Sequence, residues 1–322
     1  MRYKILAAGA ALALALTALT GCGSAEKRPE IVTTVYAVYD MAKQLTADFS
    51  EPVTVTLLLT PGGESHSYEP SPADAAAIQR CDLFAYIGGT SEQWAEKMIS
   101  ASRAEKPNLR MFDYVETLAE ETVEGMQSED DHIHDDDPAH DHDHDGIEID
   151  EHIWTSPRNA DAMLSALHGA VNKQFPAEAE KCNAAYEKLH AAFTELDAQA
   201  NDIVQRQKSD TIIVADRFPF RYLTTDYGWK YYAAFPGCSS DTDASAATLS
   251  FLISKVQETQ TGTVFYLENS TQKISDAVCK ATGAKAVMLQ SGNNVSAEDF
   301  RAGKHYQDIM AENLRAIEAA LC

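Results

Sequence analysis

Short β-branched runs alternate along this chain with stretches whose apolar residues recur at helical spacing. Residues 31–35 form the first such run, and residues 36–47 then take helical spacing. Residues 53–59 read as a second strand running into the turn 60–63 (Thr-Pro-Gly-Gly). A helix is expected over 71–79, with Ser71 as N-cap and Pro72 in the first helical position, and a strand over 83–87 that ends at Gly88 and Gly89. Repetition of βα units implies a largely parallel sheet covered by helices.

The middle of the chain breaks this rhythm. Between Pro176 and Gln207 the apolar positions Cys182, Tyr186, Leu189, Phe193, Leu196, Ala200 and Ile203 are spaced by fours and threes. That is one helix of about 30 residues, roughly 45 Å long at 1.5 Å per residue, a length suited to crossing two lobes. The βα pattern then resumes, with strands expected at 211–215, 263–267 and 286–289 and helices at 249–258, 272–282 and 302–321. The fold class expected is therefore α/β: two βα lobes with mainly parallel sheets, joined by one long helix. The corresponding divisions are 30–175 for the first lobe, 176–208 for the linking helix and 209–322 for the second lobe.

The N-terminus has a different character. Arg2 and Lys4 precede an apolar, Ala-rich run that is too short to be a stable membrane span and ends in Leu19-Thr20-Gly21-Cys22. This segment resembles the lipobox signal of bacterial lipoproteins. The resemblance implies cleavage after residue 21, lipid attachment at Cys22, a tether over 22–29 and an extracytoplasmic, membrane-anchored location. Five cysteines remain: Cys81, Cys182, Cys238, Cys279 and Cys322. None forms a C-x-x-C pair, so thiolate zinc and thioredoxin-like sites are not indicated. Cys182 falls on the long helix and reads as a small apolar packing residue. Cys238 and Cys279 lie in the same half and could pair as a disulfide, whereas their odd number leaves at least one thiol unpaired.

The net charge of −23 is concentrated, because fifteen of the 49 acids lie between residues 120 and 151. So acidic a chain is a poor partner for nucleic acid or anionic lipid surfaces. Within that stretch, residues 128–146 hold His132, His134, His140, His142 and His144 among nine acids and no Lys or Arg. Imidazole and carboxylate are the donors that hold divalent first-row metals outside the cell, so the loop 127–146 reads as a metal-collecting tract.

Two motifs make the reading specific: residues 60–72, Thr-Pro-Gly-Gly-Glu-Ser-His-Ser-Tyr-Glu-Pro-Ser-Pro, and residues 152–160, His-Ile-Trp-Thr-Ser-Pro-Arg-Asn-Ala. With two βα lobes behind a lipobox, they make the chain resemble, over its whole mature length, the zinc- or manganese-binding solute receptors of metal ABC transporters. The resemblance implies a metal cleft between the lobes, with His66 as first ligand and His152 as second. Counting back from Gly228 puts Arg217 where that family has His or Glu, and a guanidinium has no lone pair for a metal. Asp216 is the neighbouring substitute, with Arg217 as a partner that holds Asp216 or Glu268 in place. Glu268, at the end of the strand 263–267, matches the acidic ligand, whereas Gly292 and Asn293 stand where some members have Cys and His.

The implied donor set of two His with one or two carboxylates suits zinc and also manganese, and the affinity order favours zinc where geometry permits both. The implied role is a monomeric, lipid-anchored receptor that captures zinc and passes it to a membrane ABC permease, and not an enzyme. A surface metal buffer or adhesin would use the same fold. A zinc hydrolase lacks support, since H-E-x-x-H is absent from the chain.

Overall fold

The computed structural model describes residues 28–63, 67–101, 107–127, 148–239 and 243–322. The first lobe is built from β1 (Glu30–Thr33), α1 (Tyr36–Leu45), β2 (Thr54–Leu57), α2 (Pro72–Arg80), β3 (Leu83–Tyr86), α3 (Gln93–Ala101) and β4 (Asn108–Arg110). Its strands are all parallel in the order β2-β1-β3-β4. The helices α4 (Pro157–Gln174) and α5 (Ala179–Arg206) follow. The second lobe contains β5 (Thr211–Phe218), α6 (Arg221–Tyr227), β6 (Lys230–Pro236), α7 (Ala246–Thr259), β7 (Thr263–Leu267), α8 (Lys273–Thr282), β8 (Lys285–Leu289), α9 (Ala297–Ala302) and α10 (Tyr306–Leu321). Its sheet is also parallel, ordered β6-β5-β7-β8.

Strand alternation explains the layering. On β1, Ile31 faces the core shared by both lobes while Val32 packs outward on Ala77, Ile78 and Ala95 from α2 and α3. On β5, Ile212 and Val214 join the shared core, whereas Ile213 and Ala215 pack outward with Leu252, Val256 and Val278 of α7 and α8. Helix α5 threads this shared core, burying Cys182, Leu189, Phe193, Leu196, Ala200 and Ile203. Tyr186, on the same stripe, is only partly buried. Pro176 starts a single 3-10 turn, Pro176–Glu178, and the α-helix itself begins at Ala179.

Local signals set the helix starts. Ser71 caps α2 through a reciprocal pair, Asp74 N donating to Ser71 Oγ at 3.3 Å and Ser71 N to Asp74 Oδ2 at 2.8 Å, with Pro72 at the first position. The same grammar starts α4, where Ser156 accepts from Arg158 N and Pro157 follows. The helix expected over 302–321 is α10 and starts at Tyr306, preceded by the short α9 that Gly303, at φ +69°, brings to an end. Among the described residues no helix is long and apolar enough to cross a membrane.

Candidate functional site

The chain between the lobes carries Asp150, Glu151 and His152 into a buried turn. His152 is 3% exposed and begins a short 3-10 segment, Ile153–Thr155. Asp150, 1% exposed, holds it twice: Oδ1 accepts from the His152 backbone N at 2.8 Å and lies 3.1 Å from Nδ1. Asp150 thus holds the His152 ring at Nδ1, and His152 lines a cavity. Burial disfavours the imidazolium and is the largest single influence, but the charge and hydrogen bond of Asp150 together with the charges of Glu151 and Glu120 outweigh it, and the pKa of His152 is raised. Asp150 is anchored in turn, its N donating to Leu118 O and its carbonyl accepting from Tyr222 Oη at 2.7 Å. Glu151 points the other way, accepting from Ser91 N at 2.7 Å and from Ser91 Oγ. Its side chain fills the space where a Cβ on Gly89, at φ +103°, would stand within 2.6 Å.

Across the cavity, Glu268 follows β7. Ser291, just past β8, donates to it from both N (2.8 Å) and Oγ. Desolvation pushes the Glu268 carboxyl up to about 7, while Ser291 and the charge of Arg217 act in the opposite direction. His152, Glu268 and Arg217 thus line one cavity of about 40 Å³, with Gly63 from the first lobe and Asn293 and Asn294 from the second. That volume holds an ion with a water, not an organic ligand. The wall is tight behind His152, for a Cβ on Gly237 would come within 2.8 Å of Phe218 O and 3.2 Å of the imidazole.

The structure brings together His152, Glu268 and Arg217, and it does not bring Asp216 to them. Asp216 sits at the irregularity in β5 between Val214 and Arg217. Its Oδ2 accepts from Leu267 N at 3.3 Å and its Oδ1 from Arg217 N at 2.9 Å, so the carboxylate braces β5 against β7 rather than lining the cavity. The disulfide expectation is corrected as well, since Cys238 and Cys279 are both free. Cys238 follows β6 and gives its backbone N–H to Glu120, whereas Cys279 lies on α8 against the outer core of the second sheet. Cys182 is fully buried and desolvation raises its thiol pKa to about 11, in keeping with a packing role.

His66, the loop histidines His132, His134, His140, His142 and His144, and Cys22 lie outside the described residues. Among the described residues no cluster of three His, Cys, Asp or Glu is assembled for a metal. The helix histidines are occupied elsewhere: His168 by Asn183, His190 by Asp161 and His305 by Asp40. Sequence reasoning missed Asp150 and Ser291, which orient His152 and Glu268. An acid two residues before a candidate ligand is the signal that pointed to the first, and Ser291 had none.

Two parallel-sheet lobes around a buried His–carboxylate cavity are the architecture of a two-lobed binding protein. The chain belongs to the ZnuA family, described as zinc-uptake complex component A, periplasmic, whose profile matches residues 31–320. It is similar to the zinc-binding lipoprotein AdcA of Streptococcus pneumoniae serotype 4, with 31% identity over 315 residues. That match covers 95% of this chain but 58% of AdcA, so the chain spans little more than half the length of that relative. The high-affinity zinc uptake system protein ZnuA of Bacillus subtilis is 29% identical over 305 residues, covering 93% of this chain and 90% of that protein. Among solved structures, the Zn(II)-bound ZnuA-like domain of Streptococcus pneumoniae AdcA aligns with a TM-score of 0.73 at 26% identity, covering 91% of this chain and 99% of the domain.

Proposed function

We propose that this protein is an extracytoplasmic receptor that captures a divalent metal, zinc before manganese, and hands it to a membrane ABC permease. The observation that carries the reading is His152, held at Nδ1 by Asp150 and lining the same 40 Å³ cavity as Glu268. Family membership and the zinc-binding names of AdcA and ZnuA support it. In this reading His66, His152 and Glu268 are the protein's donors, two nitrogens and a carboxylate, and the remaining position is left to water. His66 enters this set from the family resemblance of the motif over residues 60–72. Arg217 offsets the Glu268 charge in the unloaded site and gives way as the ion arrives. The protein acts as a monomer held to the membrane by lipid on Cys22, and the histidines of loop 127–146 gather ions for the site.

Metal analysis of the purified protein, with zinc and manganese competing for chelator-treated samples, tests the proposal. One zinc held tightly and displacing manganese is the expected result. Retention of neither metal by a folded protein would overturn it.

A further inference from the structure

One hydroxyl of the second lobe is built into the ribbon that leads to Asp150 and His152. Residues 118–120 and 148–150 run antiparallel, with a bridge between Ala119 and Ile149. Glu120 N donates to Glu148 O at 2.8 Å and Asp150 N to Leu118 O at 2.9 Å. In that register Leu118 and Asp150 form a pair of the kind that exchanges two N–H···O bonds. Only one of the two is direct. In place of the other, Leu118 N donates to Tyr222 Oη at 3.0 Å, and Tyr222 Oη donates to the Asp150 carbonyl at 2.7 Å. Tyr222 belongs to α6 and is 3% exposed. The ribbon and the segment after it are fastened to the second lobe at further points. Glu121 pairs with Arg221, Glu120 accepts from Cys238 N at 2.8 Å, and Gln127 N donates to Ala234 O on β6 at 2.9 Å.

We infer that Tyr222 is a positioning residue for the ion site: its hydroxyl, wedged between Leu118 N and Asp150 O, sets the place of Asp150 and through it that of the His152 ring. The path is short, because Asp150 Oδ1 holds both the backbone N and Nδ1 of His152. Tyrosine suits the gap because its hydroxyl both accepts and donates, and the ring carries the oxygen on a rigid arm. With the oxygen removed, Leu118 N and Asp150 O are left buried without their partner. The ribbon relieves this by closing on itself, which draws Asp150 out of position. The second lobe, which carries Glu268, thereby also sets the place of His152, although His152 precedes that lobe in the chain.

The inference rests on the receptor reading, and a double-mutant cycle separates the two. Zinc affinity is measured by chelator competition for the wild type, Tyr222→Phe, Asp150→Ala and the double variant. If Tyr222 acts through Asp150, Tyr222→Phe weakens zinc binding about fivefold in the wild-type background and less than about twofold in the Asp150→Ala background. The visible spectrum of cobalt(II) bound to Tyr222→Phe shifts as well, which a loss of general stability would not produce. Tyr222→His, which keeps a polar atom on the ring, supplies the same cycle should Tyr222→Phe fail to fold. Equal losses in both backgrounds, or a Tyr222→Phe variant with the zinc affinity and cobalt spectrum of the wild type, would overturn the inference while leaving the receptor standing. A folded wild type that holds no zinc would bring down both.

Discussion

Burial of the Glu268 carboxylate comes at the expense of the fold, and that cost is measurable. Its pKa in the folded protein is about 7 against 4.5 for the free side chain. Between these values the unfolded chain has lost a proton that the folded one keeps, so the group destabilises folding as pH rises from about 4.5 to 7, and the full penalty persists above 7. At 1.36 kcal/mol per pH unit the shift corresponds to about 3 kcal/mol, and contact with cavity water lowers the expectation to about 1–3 kcal/mol. Glu268→Gln keeps the shape and an acceptor for the Ser291 N–H without the charge. In chelator-treated protein, urea unfolding at pH 8 should therefore find the variant more stable than wild type by about 1–3 kcal/mol, with the gap closing at pH 4.5. The same variant should bind zinc at least tenfold more weakly. A gap that is absent at pH 8, or equal at both pH values, would refute the assignment of a strained carboxylate to this site.

Three further outcomes are expected. Asp150→Ala frees the His152 ring and should cost 10- to 100-fold in zinc affinity by competition titration, with His152→Ala at least as severe. Deletion of residues 128–145 should leave one tight zinc site by calorimetry while removing several weak ones. Those weak sites should fade first as pH falls through about 6, because a weakly held ion competes less well with protons for imidazole nitrogen. Phe193→Ala, emptying a site 1% exposed in the core shared by both lobes, should lower stability by about 3–5 kcal/mol in urea unfolding.

Much of the architecture was legible in the sequence because it is written in local periodicity. The apolar spacing from Cys182 to Ile203 defines the buried stripe of α5, and the β-branched runs mark strands of both sheets. β4 and α6 escaped because three and seven residues are too few for a period to show. The 18-residue α4, by contrast, was signalled by Ser156 and Pro157 and was passed over. At the site, the strand-end position of Glu268 and the motif at His152 singled out two residues that share one cavity.

Tertiary structure decided the roles of the residues around them. Asp216 and Glu268 are both acids at or near strand ends, yet one braces Leu267 N across the sheet, 51 residues away, and the other faces the cavity. Asn294 finds its hydrogen-bond partners in carbonyls 234 and 231 residues earlier in the chain. A periodic pattern records which face of an element avoids water, a property each segment has by itself. The partner of a buried hydrogen-bonding group is set by where two distant backbones meet, and that meeting exists only after the lobes have packed.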